Sequence, residues 1–376
     1  MPKRVLILSV SAGAGHIRAA QAMESAFRRL APSIHVENFD MLDFTNQLFR
    51  RLYSRAYIHL ATRAPVFLGY LYDQFDRRGE DNDIGDEFRI AFDKLNTFRF
   101  VNYLNRNKPD VIVCTHFLPA EIISELKEHR KLHVPQVVII TDFEAHRLWA
   151  FEHVERYFVA TGEAKNYLIA LGVPERTISV TGIPVDPRFA ERRDRAQVRK
   201  QLGLPNHMPI ILVLCGGFGV GPLQNLVSEL LHVHQPCQLV VVAGRNEKLK
   251  AELERIRPVN NHGLRVLGYT EEIHLWMSAA DLLVSKPGGL TTSEALACGL
   301  PMVIVTPIPG QETRNADFLL ENGAAIKANN LLTLRHKVED LLAQPHRLNR
   351  LRTNAASLGR PNAATAIAQE VLSLYS

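Results

Sequence analysis

A glycine turn between an apolar segment and a helix-like segment gives this chain its clearest potential anion site. Residues 282–284 indicate a buried strand, Ser285-Lys286-Pro287-Gly288-Gly289 a turn, and residues 290–298 a helix. This order leaves backbone N–H groups free at a helix N-terminus, where the helix dipole also favours a phosphate. Glu294 lies about one turn inside the helix, near a sugar attached to that phosphate. An ordinary strand-to-helix turn that uses glycine for its dihedral angles is the alternative.

Two further glycine turns each follow a continuous apolar segment. They are Ser11-Ala12-Gly13-Ala14-Gly15-His16 and Gly216-Gly217-Phe218-Gly219-Val220-Gly221. Neither is a G-x-G-x-x-G dinucleotide fingerprint, because Arg18 and Pro222 occupy the third glycine positions. The P-loop and the G-x-S-x-G nucleophile elbow are also absent from the sequence. Open α/β sheets bind ligands at the carboxyl ends of their strands, so two domains with such turns suggest one substrate for each domain.

Size, composition and charge restrict the possible functions. A chain of 376 residues exceeds the usual size of a single hydrophobic core, and 46% apolar with 22% charged residues is typical of a globular protein. The net charge of +5 favours an anionic membrane or a phosphorylated substrate, and we expect no nucleic acid. The four cysteines have neither disulfide nor zinc spacing, which favours a reducing cytoplasm. No apolar run approaches about 18 residues, so any membrane contact is expected to be peripheral.

The order of the predicted elements indicates an α/β protein. Strands and helices alternate along the first half of the chain, which predicts a doubly wound parallel sheet, and the alternation restarts near Ile210. We expect four parts in chain order: an N-terminal domain over 1–184, a basic linker over 185–205, a C-terminal domain over 206–358, and a closing helix over 359–376. The apolar face of that last helix is available to pack back on the N-terminal domain.

The segment from Phe44 to Tyr72 combines an aromatic and aliphatic helical face with a basic face. The basic residues are Arg50, Arg51 and Arg55. This combination suits an interfacial helix on an anionic bilayer. A helix packed on its own domain has the same periodicity, so both interpretations remain.

Several motifs occur in the order found in one known family. They are Ser11-Ala12-Gly13-Ala14-Gly15-His16, Ala64-Pro65, Thr141-Asp142-Phe143, His146-Arg147-Leu148-Trp149, Lys286-Pro287-Gly288-Gly289 and Pro309-Gly310-Gln311-Glu312. Together they resemble the monogalactosyldiacylglycerol synthases and bacterial diacylglycerol glucosyltransferases, more distantly the MurG glycosyltransferases. The resemblance covers nearly the whole chain. It implies the GT-B fold, in which two Rossmann-like domains face each other across a cleft, and an inverting reaction without a metal or cofactor.

On the donor side, the resemblance implies a site for a UDP-sugar. The turn at Gly288 and Gly289 would hold the diphosphate through backbone N–H groups, and Glu294 would accept hydrogen bonds from ribose or sugar hydroxyls. Gln311 and Glu312 match positions that grip the donor sugar, although a favourable acid at a helix start gives the same sequence. The remaining donor-side candidates are Gly217, Gly219, Tyr269, Thr291 and Asn315.

On the acceptor side, the resemblance implies that His16 is the catalytic base. An acceptor alcohol must lose its proton as it attacks C1 of the sugar, and a histidine with a near-neutral pKa suits that task. Asp142 is the second catalytic candidate, as a residue that orients another group. The candidates for contact with the lipid acceptor are Gly15, Pro65, His146 and Trp149, with buried packing as the alternative for Trp149.

These inferences predict a peripheral enzyme on the cytoplasmic face of the membrane. Its donor would be UDP-glucose or UDP-galactose, and its acceptor the 3-hydroxyl of diacylglycerol. A UDP-sugar 2-epimerase shares the fold, but a small soluble substrate needs no surface like residues 44–72. Many retaining GT-B enzymes have a second glutamate eight residues after the first, where this chain has Met302. A UDP-sugar-binding regulator is the non-enzymatic alternative.

Overall fold

The chain divides into two compact units. The computed structural model describes residues 3–11, 13–45, 97–214 and 223–374. The first unit comprises residues 1–187, 309–311 and 362–376, and the second comprises residues 188–308 and 312–361. Within the described part of the chain, no helix is both long enough and apolar enough to cross a membrane.

A parallel sheet forms the centre of the first unit. Its described strands are β1 (Arg4–Ser9), β2 (His35–Asp40), β3 (Val111–Cys114), β4 (Gln136–Ile139), β5 (Arg156–Val159) and β6 (Ile178–Val180). They are arranged in the order β2-β1-β3-β4-β5-β6, and all neighbouring pairs are parallel. The described helices of this unit are α1 (Ala14–Leu30), α2 (Thr97–Asn107), α3 (Phe117–Glu128), α4 (Gly162–Ala170) and the C-terminal helix (Ala363–Leu374).

Alternate residues of β1 enter cores on opposite faces of this sheet. Leu6 and Leu8 belong to one apolar cluster, whereas Val5 and Ile7 belong to another that includes α1 and the C-terminal helix. A strand buried on both faces needs apolar residues at consecutive positions, which explains the unbroken apolar run that predicts it. The prediction of an α/β fold with helices on both faces of a parallel sheet is confirmed.

The C-terminal helix is part of the first unit. Ile367 and Val371 are fully buried in the cluster that contains α1. Glu370 contacts two neighbouring strands, accepting a hydrogen bond from Ser179 Oγ at 2.7 Å and pairing with Arg156 at 3.0 Å. The last helix therefore covers the sheet formed by the beginning of the chain.

The second unit has its own parallel sheet. Its described strands are β7 (Ile210–Leu214), β8 (Gln238–Val242), β9 (Gly263–Leu267), β10 (Leu282–Ser285), β11 (Met302–Val305) and β12 (Ala325–Ala328), in the order β12-β11-β10-β7-β8-β9. The helices described along this part of the chain are α5 (Arg195–Gln201), α6 (Leu223–Leu230), α7 (Glu247–Leu253), α8 (Ile273–Ala279), α9 (Gly289–Ala297), α10 (Gln311–Glu321), α11 (Leu331–Ala343) and α12 (Pro345–Leu358).

One carboxylate joins helices and strands of the second unit. Asp281, directly before β10, pairs with Arg195 and Arg199 of α5 at 3.0 and 2.6 Å and with Arg352 of α12 at 3.3 Å. The backbone N–H of Ile210, at the start of β7, donates to the same carboxylate at 2.8 Å. The basic helix that the sequence places in a linker is therefore held on the second sheet, and it belongs to the folded unit.

We expect Asp281→Asn to lower the free energy of unfolding by about 3 kcal/mol, because three guanidinium groups lose their shared carboxylate. Urea unfolding followed by circular dichroism measures this change. Glu254→Gln is the control, since Glu254 forms an exposed pair with Lys250 at 3.8 Å, and its removal should cost less than about 0.5 kcal/mol. Equal stability of the two variants would contradict the structural role of Asp281.

Candidate active site

His16 lies at the carboxyl edge of the first sheet. It is in the first turn of α1, which follows β1 after the glycine turn. In the sheet, β1 lies between β2 and β3. The chain adds β2 on one side of β1 and all later strands on the other side, so the strand order reverses at β1. Such a switch point is where open α/β sheets leave a crevice for a ligand. The partly buried imidazole thus occupies a position suited to substrate contact.

The hydrogen bonds of His16 define which ring nitrogen can accept a proton. Its Nδ1 lies 3.0 Å from the backbone carbonyl oxygen of Thr115 and 2.8 Å from Thr141 Oγ1. A carbonyl oxygen only accepts hydrogen bonds, so Nδ1 carries the ring proton in this arrangement. The neutral ring then has its lone pair on Nε2. That nitrogen is able to take a proton from a substrate hydroxyl.

Burial and a nearby carboxylate act in opposite directions on His16. Loss of hydration lowers the pKa of His16 below its ordinary value, while the charge of Asp142 and the Thr115 carbonyl oppose this decrease. Asp142 follows β4, whose carboxyl end is at the same edge of the sheet as that of β1. The structure therefore brings together the two residues that the sequence predicts as catalytic. At neutral pH the imidazole is in the unprotonated form that a general base requires.

Aromatic side chains continue from His16 along the same edge. The ring of His116 contacts His16 edge-on at 4.6 Å between centroids, and Phe117 lies 4.2 Å from His116. Phe117 in turn lies 5.9 Å from both His146 and Trp149. His146 and Trp149, predicted as acceptor contacts, therefore belong to one aromatic cluster with the histidines. Trp149 is buried, as the packing alternative requires, so its position is compatible with either role.

His116 has a structural role at the start of α3. Its side chain is 2% exposed, and its Nδ1 accepts a hydrogen bond from the backbone N–H of Leu118 at 3.0 Å. The imidazole thereby caps the helix. Burial lowers the pKa of His116 well below its ordinary value, and the neighbouring His16 and His146 lower it further. The cap is therefore a neutral imidazole at physiological pH.

The glycine turn of the second unit begins α9. Gly288 is the N-cap residue, with φ −63° and ψ 141°, and its position has no capping side chain. These dihedral angles are open to any residue, and a Cβ added at Gly288 would meet no atom within 4 Å. Neither backbone strain nor packing within the described residues therefore requires glycine here. An open approach to the N–H groups of a helix N-terminus is what binding of a phosphate needs.

Glu294 projects from the same helix and is buried. Only 2% of the residue is exposed, and it interacts electrostatically with the Cys298 thiol one turn later. Thr291, at the third helical position of α9, is partly exposed. The two candidates therefore lie about one turn apart on the helix whose N-terminus is open.

The loop between β11 and α10 combines backbone strain with a carboxylate. Thr306 has φ +43°, a left-handed conformation that costs a β-branched residue about 1–3 kcal/mol. Glu312 Oε2 accepts a hydrogen bond from the backbone N–H of Ile308 at 2.6 Å. Glu312 therefore stabilises this loop, and Gln311 begins the helix beside it. Asn315, one turn further, is fully buried.

Tyr269 follows β9 at the carboxyl edge of the second sheet. The side chain is 60% exposed, and the guanidinium of Arg245 lies 4.9 Å from the centroid of its ring. Arg245 follows the neighbouring strand β8. An exposed aromatic ring with one face covered by a guanidinium offers a surface on which a planar group can stack.

Sequence comparisons identify the family. The profile of the monogalactosyldiacylglycerol (MGDG) synthase family matches residues 16–185, and that of the glycosyltransferase family 28 C-terminal domain matches residues 210–371. The processive diacylglycerol beta-glucosyltransferase of Bacillus licheniformis is 30% identical over 371 residues, which are 98% of this chain and 94% of the relative. The chain belongs to the diacylglycerol glycosyltransferase family. The predicted family and the prediction of an enzyme are confirmed.

Solved structures show the fold of this transferase. MurG of Acinetobacter baumannii matches with a TM-score of 0.64 and 20% identity, over 99% of this chain and all of MurG. The Anabaena protein Alr3699/HepE, in complex with UDP-glucose, matches with a TM-score of 0.55 and 15% identity over 99% of both chains. The predicted GT-B fold is confirmed.

Several functional candidates of the transferase lie outside the described residues. They are Gly217, Gly219, Pro65, Arg50, Arg51 and Arg55. Over residues 3–11, 13–45, 97–214 and 223–374, no three His, Cys, Asp or Glu side chains are grouped as possible metal ligands.

The structure adds residues to which the sequence pattern assigns no role. Thr115, His116 and Thr141 surround His16, and Arg245 covers Tyr269. Each of the four follows the carboxyl end of a strand closely. Polar residues directly after predicted parallel strands are the signal in the sequence that could have identified them.

Acidification should destabilise the transferase through His116. Its pKa is lowered in the folded state, so the unfolded chain takes up a proton as the pH falls through about 6.5, while folded His116 stays neutral. The free energy of unfolding of the wild type should therefore decrease as the pH falls below about 6.5. We expect this decrease to be smaller in His116→Asn, by up to about 1.4 kcal/mol per pH unit. Asparagine retains a side-chain cap.

Urea unfolding measures this difference at several pH values between about 5 and 8, on both sides of the ordinary histidine pKa of about 6.5. His133→Asn is the matched control, because His133 is exposed. Identical pH dependence of stability in wild type and His116→Asn would show that His116 does not oppose acidification.

Proposed function

We propose that the protein is an inverting, metal-independent hexosyltransferase that uses a UDP-sugar and glycosylates the 3-hydroxyl of diacylglycerol. The observation that carries this proposal is the hydrogen bonding of His16, which leaves Nε2 as the acceptor of a proton at the sheet edge. Family membership supplies the substrate class, since the Bacillus licheniformis relative is named as a diacylglycerol glucosyltransferase. Glucose and galactose are both retained as the transferred sugar.

The reaction needs one proton transfer and one displacement. The acceptor oxygen forms a bond to C1 of the sugar while its proton moves to His16 Nε2. The bond from C1 to the diphosphate oxygen breaks, and its electron pair leaves with UDP. Asp142 stabilises the imidazolium that forms, because its charge already favours the protonated ring.

The donor is assigned to the second unit. Backbone N–H groups at the start of α9 bind the diphosphate through the open turn at Gly288. Charge on the departing UDP is then stabilised by the helix dipole in the place of a metal ion. Support for a UDP-sugar comes from the complex of Alr3699/HepE with UDP-glucose, which has the same fold. Glu294, Gln311 and Glu312 contact donor hydroxyls in this proposal.

The acceptor lipid is drawn from a membrane surface. We assign the enzyme to the cytoplasmic face of the bilayer as a peripheral protein. Support comes from the sequence, where Arg50, Arg51 and Arg55 accompany an aromatic helical face. The lipid then reaches the first unit, where Gly15, His146 and Trp149 are the acceptor contacts.

A product assay tests the proposal and separates it from its alternatives. Purified protein is incubated with UDP-glucose or UDP-galactose and liposomes of anionic phospholipid with diacylglycerol, and lipids are examined by mass spectrometry. A hexosyl-diacylglycerol is the expected product. Conversion of the UDP-sugar without lipid product would indicate an epimerase, and binding without any conversion would indicate a regulator.

We expect His16→Ala to lower kcat by about 10² to 10⁴, the usual contribution of a general base, while UDP binding is retained. In the wild type, the acid limb of kcat/KM should lie below pH 6.5, because burial lowers the pKa of His16. Asp142→Asn should move that limb to still lower pH, because the carboxylate that raises the pKa of His16 is gone. Full activity of His16→Ala would overturn the assignment of the base.

We expect Glu294→Gln to weaken UDP-sugar binding by about 10- to 100-fold, the effect of losing a hydrogen bond to a charged group. Isothermal titration calorimetry with UDP and with the UDP-sugar measures the change. Glutamine preserves the side-chain volume at this buried position. Glu321→Gln is the control, since Glu321 is exposed at the end of α10. Unchanged donor affinity in Glu294→Gln would remove Glu294 from the donor site.

A further inference from the structure

The hydroxyl of Thr141 lies closer to the His16 ring than the Thr115 carbonyl oxygen does. Its Oγ1 lies 2.8 Å from Nδ1, compared with 3.0 Å for the Thr115 carbonyl oxygen. Thr141 is only 4% exposed and follows β4 after one further residue, so its side chain is held by the edge of the sheet. The hydroxyl is thus placed with little freedom against one nitrogen of the ring.

We propose that Thr141 is a positioning residue that, with the Thr115 carbonyl, fixes the orientation of the His16 ring. The carbonyl oxygen requires a proton on Nδ1, whereas the Thr141 hydroxyl could pair with either form of that nitrogen. The Nδ1–H group donates to both oxygens, which follow the neighbouring strands β3 and β4. A half-turn of the imidazole about its Cβ–Cγ bond would replace Nδ1 with a carbon and lose both contacts. The pair of oxygens therefore fixes the ring orientation, and with it the direction in which Nε2 points.

Two further contacts, one with the His16 backbone and one with its ring, involve atoms other than Nδ1. Thr115 Oγ1 donates to the carbonyl oxygen of His16 at 3.0 Å, which fixes the start of α1 against β3. The ring of His116 packs edge-on at 4.6 Å. Thr115 thus anchors the backbone of His16 by its hydroxyl, whereas Thr141 acts directly on the imidazole.

The catalytic consequence rests on the proposed function. If Nε2 takes the proton of the acceptor hydroxyl, a ring that turns about its Cβ–Cγ bond spends part of its time with Nε2 directed away from that hydroxyl. In that orientation the base cannot reach the proton. Thr141 is therefore expected to affect kcat and to leave donor binding unchanged, since it acts through the orientation of the His16 ring.

Thr141→Val tests this role, because valine keeps the shape of threonine and removes the hydroxyl. In protein labelled with ¹⁵N-histidine, the His16 signals are assigned by their loss in His16→Ala. Two-bond ¹H–¹⁵N correlation spectra should show one set of His16 ring signals, of the Nδ1–H form, in the wild type, and a second or exchange-broadened set in Thr141→Val. The kcat for glycolipid formation should fall about tenfold, a part of the usual general-base contribution, with KM for the UDP-sugar unchanged. Thr141→Ser should restore both properties.

Thr45→Val is the matched control for a structural effect. Thr45 is 5% exposed, and its Oγ1 donates to the backbone carbonyl oxygen of Leu42 at 2.7 Å, in the short turn that follows β2. This variant should lose stability and keep the wild-type His16 signals and kcat. The proposal is overturned if wild-type His16 is the Nε2–H tautomer, or if Thr141→Val keeps a single set of His16 ring signals. The spectra require no substrate, so they decide the role of Thr141 even if the wild type forms no glycolipid.

Discussion

The parallel alignment of β1, β3 and β4 is the constraint on which the catalytic candidates depend. His16, Thr115 and Thr141 come from three separate parts of the chain, and each follows the carboxyl end of one of these strands. Parallel strands end at a common edge, so a residue placed just after each strand meets the others without any long loop. The sheet is buried on both faces, which makes its register costly to change. Two hydrogen bonds to one imidazole nitrogen are thus maintained by the core of the whole unit.

Burial at this edge has two effects on the imidazole, and they must be balanced. Loss of hydration favours the neutral form of His16, which a base needs, but it also opposes the protonated form that the proposed reaction would produce. The carboxylate of Asp142 reduces the second effect without removing the first. The pKa of His116 is lowered by burial and also by the neighbouring His16 and His146, so it lies well below its ordinary value. Two adjacent histidines in one cluster therefore have different properties, one suited to proton transfer and the other to a neutral helix cap.

Much of this arrangement could be predicted from local sequence, and the reasons are physical. Unbroken apolar segments predict strands buried on both faces, and the glycine turn before α1 predicts that His16 projects from a sheet edge. The contacts with Thr115 and Thr141 depend on register between strands about a hundred residues apart, which no local pattern specifies. The sequence places the basic helix α5 in a linker because residues 181–187 interrupt the alternation of strands and helices just before it. Its attachment depends on Asp281, which lies more than 80 residues later in the chain.

The turn at Gly288 shows why the conformation of a glycine matters more than its presence. Gly288 has dihedral angles open to any residue, and an added Cβ would meet no described residue within 4 Å, so the two common structural reasons for glycine do not apply among the described residues. Thr306, at the end of the next strand, has the opposite character: a β-branched residue in a left-handed conformation that glycine would adopt without strain. Strain of this kind persists only where surrounding contacts fix the loop, as the Glu312 carboxylate does for Ile308. The ends of two neighbouring strands therefore differ: the turn after β10 has unstrained dihedral angles, whereas the loop after β11 contains a strained residue and a backbone N–H bonded to a carboxylate.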